Sequence, residues 1–361
     1  MKKFNKIGIL TSGGDAPGMN AVVRAVARRA AELGIEALGI VGGYRGLIDD
    51  EMIPMTPAFT ANIIGNGGTA LYTDRCVEFM TEEGMQKAVA NCKKNGIDAI
   101  VAIGGDGTFR GATDLTLHGI PAIGVSGTID NDITATDYTV GFDTAMNAAM
   151  ELIDRLQDTC ESHARCNVVE LMGRHCGELT LKVGVACGAV AVAIPEMPFD
   201  EAAAIENIKK LRARGQRSMI VCVSEGVITA DGKKYGEVLA EKIEAETGIE
   251  TKFCRPAHMQ RGGRPTLRDR LVATLMGAYA VELLTEGKSN LFVCLINGSV
   301  TSLDIKWALA ADRMYKNKLK EGDLDGFTEE EIQDMRDLAA SRHADIEVLY
   351  NLNMQLSTAR D

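Results

Sequence analysis

Positive charge is in short supply: 39 lysines and arginines stand against 50 aspartates and glutamates, a formal net charge of −11. Nucleic-acid and anionic-membrane binders need basic surface to neutralise phosphates, so the balance argues against both roles. An anionic ligand would have to be met by local clusters of arginine. Long apolar runs are missing too, and none approaches the roughly 18 residues of a membrane span. The opening MKKFNKIGILTSGGD sets lysines before an apolar patch that is too short, and too soon broken by glycine, for a signal peptide. It reads better as a first strand.

The nine cysteines stand singly, at 76, 92, 160, 166, 176, 187, 222, 254 and 294, with no CxxC and no paired histidines. Without metal-ligand spacing, such a set points to reduced thiols in a cytoplasmic protein. No GxGxxG opens the first helix, which weighs against a dinucleotide-dependent oxidoreductase. Heptads, low-complexity tracts and long-period repeats are absent as well.

What the chain has is 361 residues, 46% hydrophobic, and 38 glycines, enough for two domains rich in turns. Residues 6–11 (KIGILT) form a β-type run that meets glycines at once, and residues 19–33 carry helical periodicity closed by Gly34. The same unit recurs: IDAIVAI (97–103) runs into GGDGT, NVVELM (167–172) into GRHCGE, and RSMIVCVS (217–224) into Glu225. Strands alternating with helices imply a mostly parallel, doubly wound sheet. In such sheets ligands gather beyond the carboxyl ends of the strands, where each of these polar clusters falls. The tail from about Gly326 reads as one or two amphipathic helices with Thr328 as N-cap and an acidic first turn, a packing or assembly element.

Three turns carry candidate chemistry. TSGGDAPGMN (11–20) opens a helix, so its glycines let backbone N–H groups approach an anion, though a glycine turn is as often purely structural. In GGDGT (104–108), Asp106 follows a buried strand; it suits either a Mg²⁺–phosphate complex or an Asx turn. In GVSGTIDND (124–132), Asp130 and Asp132 are candidates for a general base and its partner, or for plain turn residues.

Together these segments resemble the 6-phosphofructokinase family over about residues 5–320. The resemblance rests on SGGDAPGMN, GGDGT, GTIDND, DYTVGFDTA, SHARCNVVELMGRHCG, HMQRGG and DRLVATLMGAYA, all in the family's order. It implies two doubly wound, Rossmann-like α/β/α domains with a cleft between them. A nucleotide domain of 1–141 plus about 252–303, a sugar-phosphate domain of 142–251 plus about 304–325, and a helical extension of 326–361 are expected. The implied reaction is transfer from ATP–Mg²⁺ to the 1-hydroxyl of fructose 6-phosphate, in a cytoplasmic homotetramer.

Position by position, the resemblance makes Asp130 the base, Asp132 its companion carboxylate and Thr128 a substrate and phosphoryl contact. It gives Arg174, Arg75 and Gly14 a share in stabilising the transferred group. Asp106 matches the Mg²⁺-associated carboxylate. Gly14, Gly104, Gly105, Gly107 and Gly111 match backbone contacts to the nucleotide, with Tyr44, Arg75, Cys76 and Thr108 beside them. For the sugar phosphate, Met172 and Gly173 accompany Arg174, Glu225 matches a hydroxyl contact, and His258 and Arg261 match 6-phosphate ligands. Arg165 matches an arginine supplied by a neighbouring subunit. Lys252 stands where the second such arginine is usual, keeping the charge but losing the bidentate fork.

Two glycines report the donor. Pyrophosphate enzymes of the family resemble GGDD and KTIDND, whereas this chain has Gly107 and Gly127, which favour ATP. A carboxylate at 107 would repel the α-phosphate, and a lysine at 127 would supply charge that a short donor needs. On the adenine side Cys76 replaces an aromatic, and Met80 and Met85 replace arginines, leaving apolar contact to hold the base. Arg24, Arg28 and Arg214 match the bacterial effector site, but Val190, Gln157, Pro57 and Gln216 replace its other charged residues, so weak or absent effector response is expected. The alternatives are the pyrophosphate-dependent reaction and a non-catalytic phosphosugar-binding subunit. An NAD or lipid kinase would explain GGDGT alone.

Overall fold

The computed structural model describes residues 4–359 and divides them into two compact units. The first comprises residues up to 129, 133–144 and 261–339; the second comprises 130–132, 145–260 and the chain from 340. Each has its own sheet.

In the first unit the strands are β1 (Lys6–Thr11), β2 (Glu36–Ile40), β3 (Met52–Pro54), β4 (Ala99–Gly104) and β5 (Ala122–Ser126). The second unit contributes β6 (Cys166–Leu171), β7 (Ala191–Ala193), β8 (Met219–Ser224) and β9 (Thr251–Cys254), and the first resumes with β10 (Leu291–Ile296) and β11 (Ser299–Asp304). The first sheet runs β11-β10-β5-β4-β1-β2-β3 and is parallel except at its two edges, where β3 and β11 pair antiparallel. The second runs β7-β8-β6-β9 and is parallel throughout.

Central strands such as β4 (AIVAIG) and β6 (CNVVEL) are buried at every residue, as expected of parallel strands covered on both faces. The expected strand–turn–helix units are all present. Helix Met19–Glu32 buries its apolar stripe, including Met19, Val22, Val23, Val26 and Ala30, and the chain turns away at Gly34, whose φ is +71°. The tail is one helix, Glu329–Ser357. Thr328 Oγ1 accepts from the Glu331 N–H at 3.2 Å, and the Glu331 carboxylate accepts from the Thr328 N–H at 2.7 Å, a reciprocal cap.

The two units depart from the expected domains at residues 130–132 and 142–144, and more widely at 252–260 and 304–325. β9 pairs with β6, so residues up to 260 lie in the second unit. β11 pairs with β10, and Ile305 and Ala308 of helix Ile305–Tyr315 enter the first unit's core, so 304–325 stays in the first unit. The tail helix is shared: residues up to 339 cluster with the first unit and those from 340 with the second.

Candidate functional site

In the first sheet the strand order reverses between β1 and β4, the topological switch point at which open α/β sheets bind ligands. Both glycine turns leave the sheet there. They are tied together by Ser12 N–H donating to the Ile103 carbonyl (3.0 Å) and Thr108 Oγ1 donating to the Ser12 carbonyl (3.1 Å). The Thr108 hydroxyl fills the place where a Gly104 side chain would be, 2.3 Å from that ideal Cβ. At Gly105 and Gly107, by contrast, an added Cβ would meet nothing within 4 Å. Packing therefore does not require glycine at 107, and the open space over the start of helix Asp106–Leu117 suits an incoming phosphate. That helix has no side-chain cap on its first N–H groups, nor has Met19–Glu32 behind Gly18.

The loop carrying Arg75 docks on the first turn. Thr11 Oγ1 donates to the Tyr72 carbonyl and Thr73 Oγ1 to the Gly13 carbonyl, both at 2.7 Å, and Arg75 is exposed beyond them. Arg261 Nη1 donates to the Asp15 carbonyl at 3.0 Å and sits 3.0 Å from where a Gly14 Cβ would project, so this arginine lies against the first glycine turn. Thr128 is 9% exposed. A Cβ on Gly127 would press on Ile103 and Met19 at 3.2 Å.

Two residues expected at the nucleotide are used for packing. Tyr44 is 5% exposed, stacks on Phe79 with centroids 4.1 Å apart and donates to the Thr108 carbonyl at 2.6 Å. Gly111 is glycine because the Tyr44 ring lies 2.6 Å from its ideal Cβ. Met85 is also core, whereas Met80 is exposed and Cys76 is half-buried against the same cluster. A residue that sequence reading passed over, Arg110, pairs with Asp106 one helical turn away, Nη2 to Oδ2 at 2.8 Å, with side chains 51% and 38% exposed.

The second unit brings together Asp130, Asp132, Met172, Gly173, Arg174 and Glu225. The carboxylate of Asp130 is 1% exposed and lies 3.2 Å from Arg174 Nε. Asp132 is half-buried, and Asn131 between them takes φ +50° and donates to Glu178 at 2.9 Å. Burying a carboxylate costs heavily unless a cation or donors meet it, and the guanidinium supplies that here. Arg174 itself has φ +54°, an uncommon conformation for a side-chain-bearing residue. Glu225, at the end of β8, holds it there: Oε1 accepts from the N–H groups of Gly173 (3.2 Å) and Arg174 (2.9 Å). Glu196 accepts from the Gly177 N–H at 2.8 Å at the far end of this loop, and burial pushes its carboxyl upward. Cys176, inside the loop, is a buried thiol pushed well up by burial and by Glu178 and Glu196, which disfavours its thiolate form.

Gln260, fully buried, accepts from the Met172 N–H at 3.0 Å, a support that only the fold reveals, since the two are 88 residues apart. His258 is exposed on the short 3₁₀ turn Ala257–Arg261. Arg165, just before β6, and Lys252, on the edge strand β9, are both paired with Glu250, at 2.6 Å and 3.1 Å. Those hydrogen bonds, that of Arg165 first, hold the Glu250 carboxyl below the usual range.

Among the described residues no group of three or more His, Cys, Asp or Glu could by itself hold a metal ion. Mg²⁺ needs no such cage. A single hard carboxylate, partly exposed and flanked by glycines with open space, fits an ion that brings phosphate and water oxygens with it, and Asp106 has that setting. No described helix is long and apolar enough to cross a membrane.

Doubly wound sheets, glycine turns at a switch point and a buried carboxylate paired with arginine define a phosphate-handling α/β protein. The phosphofructokinase family profile matches residues 6–284. The chain belongs to that family. It is 48% identical over 302 residues to the ATP-dependent 6-phosphofructokinase of Bacillus subtilis (strain 168), covering 84% of this chain and 93% of that protein. With the enzyme of the same name from Lactobacillus johnsonii it is 51% identical over the same shares. Among solved structures, phosphofructokinase from Saccharomyces cerevisiae superposes with a TM-score of 0.85 at 28% identity over 97% of this chain, which spans 50% of that yeast chain.

Proposed function

We propose that this protein transfers the γ-phosphoryl group of ATP to the 1-hydroxyl of fructose 6-phosphate, giving fructose 1,6-bisphosphate and ADP. The observation that carries the reading is the pair of Asp130 and Arg174: a carboxylate 1% exposed, held 3.2 Å from a guanidinium whose loop is pinned by Glu225. The identity to enzymes named ATP-dependent 6-phosphofructokinase supports the substrate pair.

In this reading Asp130 takes the proton of the 1-hydroxyl as that oxygen bonds to the γ-phosphorus, and the bond from the γ-phosphorus to the β-phosphate bridging oxygen breaks, releasing ADP. Charge spreads over the oxygens of the moving group, so stabilisation matters more than covalent help. Arg174, Arg75, the Thr128 hydroxyl and the backbone at Gly14 provide it. The donor's phosphates lie on the N–H groups at Gly104–Gly105 and at the start of helix Asp106–Leu117, with Gly107 open beneath them. Asp106 would hold Mg²⁺, which when bound neutralises phosphate charge. The sugar phosphate is held by Met172, Gly173, Glu225, His258 and Arg261. Lys252, on the edge strand β9, and Arg165, just before the neighbouring β6, are offered to a neighbouring copy in a homotetramer.

Gly107 and Gly127 support ATP over pyrophosphate, and the nine unpaired cysteines support work in the reducing cytoplasm. The test is an assay of fructose 6-phosphate with ATP or with pyrophosphate at equal Mg²⁺, the product identified as bisphosphate by aldolase coupling. Turnover with ATP is expected, and its absence with ATP would overturn the reading.

A further inference from the structure

The segments DYTVGFDTA and DRLVATLMGAYA are joined inside the first unit by one carboxylate. Asp269, in the first turn of helix Leu267–Thr285, has no exposed surface. Its Oδ1 accepts from the Tyr138 hydroxyl and from the Gly141 N–H at 2.6 Å. Its Oδ2 accepts from the N–H of Thr144 at 2.9 Å and from the Thr144 hydroxyl at 2.5 Å. Thr266, which caps the same helix, adds a bond from its hydroxyl to Asp143 at 2.7 Å and one from its N–H to Thr144 Oγ1 at 3.0 Å. Residues 138–144 are thus held from one side at 138, 141, 143 and 144.

On its other side this segment holds the turn with the candidate chemistry. Thr139, with no exposed surface, donates its hydroxyl to the Thr128 carbonyl at 2.7 Å, and Val140 forms a parallel bridge with Gly127. Gly141 has φ +108°, and a side chain there would meet Ala16 at 2.6 Å, so the first glycine turn also bears on this segment. A buried carboxylate is expensive, and one that meets four donors specifies a single arrangement of the backbone that supplies them. Packing alone would be served by an apolar residue.

We infer that Asp269 is a positioning residue for phosphoryl transfer: it fixes residues 138–144, and these fix the Thr128 carbonyl and the chain entering Asp130. The inference rests on the proposed roles of Thr128 and Asp130. Asp269 touches neither substrate nor donor and acts through Thr139.

The test compares Asp269→Asn, Thr139→Val and Tyr138→Phe with the unaltered full chain. Asparagine turns one acceptor into a donor facing donors, whereas Thr139→Val deletes only the hydroxyl that reaches Thr128. A misplacement of about 1 Å is worth up to about 10²-fold, so kcat is expected to fall about 10- to 100-fold in Asp269→Asn and about 3- to 10-fold in Thr139→Val. Calorimetric affinity for ADP, a readout of the nucleotide side, is expected to stay near that of the unaltered chain. Hydrogen exchange at residues 127–130 should quicken in Thr139→Val, a readout that needs no turnover. If Asp269→Asn does not fold, Thr139→Val and Tyr138→Phe decide. Lower melting temperatures with full kcat and unchanged exchange at 127–130 would overturn the inference. Absence of bisphosphate from the unaltered chain would instead overturn the proposed reaction, leaving the exchange result to judge the positioning.

Discussion

Arg174 Nε lies 3.2 Å from Asp130 Oδ2, and the two side chains differ sharply in exposure, 51% against 1%. The arginine therefore meets solvent or ligand on one side while neutralising a buried carboxylate on the other. Arg174→Ala is expected to lower kcat about 10³-fold or more, by analogy with arginines that stabilise phosphoryl transfer elsewhere. Steady-state kinetics check this. A loss confined to KM would mean that the guanidinium serves ground-state binding alone.

Donor choice is testable at the two glycines. Aspartate fits at 107, where an added Cβ meets nothing within 4 Å, while lysine at 127 needs Ile103 and Met19 to give way from 3.2 Å. Gly107→Asp with Gly127→Lys should lower kcat/KM for ATP about 10²- to 10³-fold, the scale of like-charge repulsion near a protein surface. Relative turnover with pyrophosphate should rise. An unchanged ATP preference would remove the donor argument.

If Asp106 holds Mg²⁺ as proposed, Arg110, paired with it at 2.8 Å, would compete with that ion. Exposed i,i+4 pairs such as this are worth little, so a bound ion would displace it at small cost. Arg110→Ala should lower the Mg²⁺ concentration for half-maximal rate about twofold, since exposed i,i+4 pairs contribute about 0.3–0.5 kcal/mol. A Mg²⁺ titration at fixed ATP reads it directly, and a rise in the requirement would instead make Arg110 a ligand of the donor.

The thiols divide by burial. Cys92, Cys166 and Cys294 are pushed up to about 12 by desolvation. At pH 8 only about one such thiol in 10⁴ is ionised, and the thiolate is the reactive form. Reactivity therefore grows only as pH climbs towards those raised values. Alkylation at pH 8, read by peptide mass spectrometry, should mark half-buried Cys76 before these three, and ATP should protect Cys76.

Strand ends and glycine turns were legible because parallel core strands are continuous apolar runs and a left-handed or open backbone demands glycine. The burial of Asp130 and its pairing with Arg174 were not, because the contact joins residues far apart in sequence. Asp106–Arg110 lay within one helical turn, yet an i,i+4 pair on a helix usually signifies only a solvated face. Tyr44 and Gly111 show the converse. A resemblance assigns both to the nucleotide, but the ring fills the glycine's missing side chain and spends its hydroxyl on the Thr108 carbonyl. The expected domain boundaries part from the observed units at β9, whose partner is fixed by pairing rather than by local pattern, and at helix Ile305–Tyr315, whose core contacts local pattern does not show. The supports from Gln260 and Asp269 span 88 residues and more than 120, beyond any local signal.

The central claim is that Asp130 removes the proton from the attacking hydroxyl. Asp130→Asn keeps the shape of the side chain and abolishes the base, and single-turnover quench-flow with saturating ATP and fructose 6-phosphate measures the chemical step itself. A fall of about 10²–10⁴-fold with little change in substrate affinity is expected, the usual worth of general-base catalysis. A rate within a few-fold of the unaltered protein would contradict it.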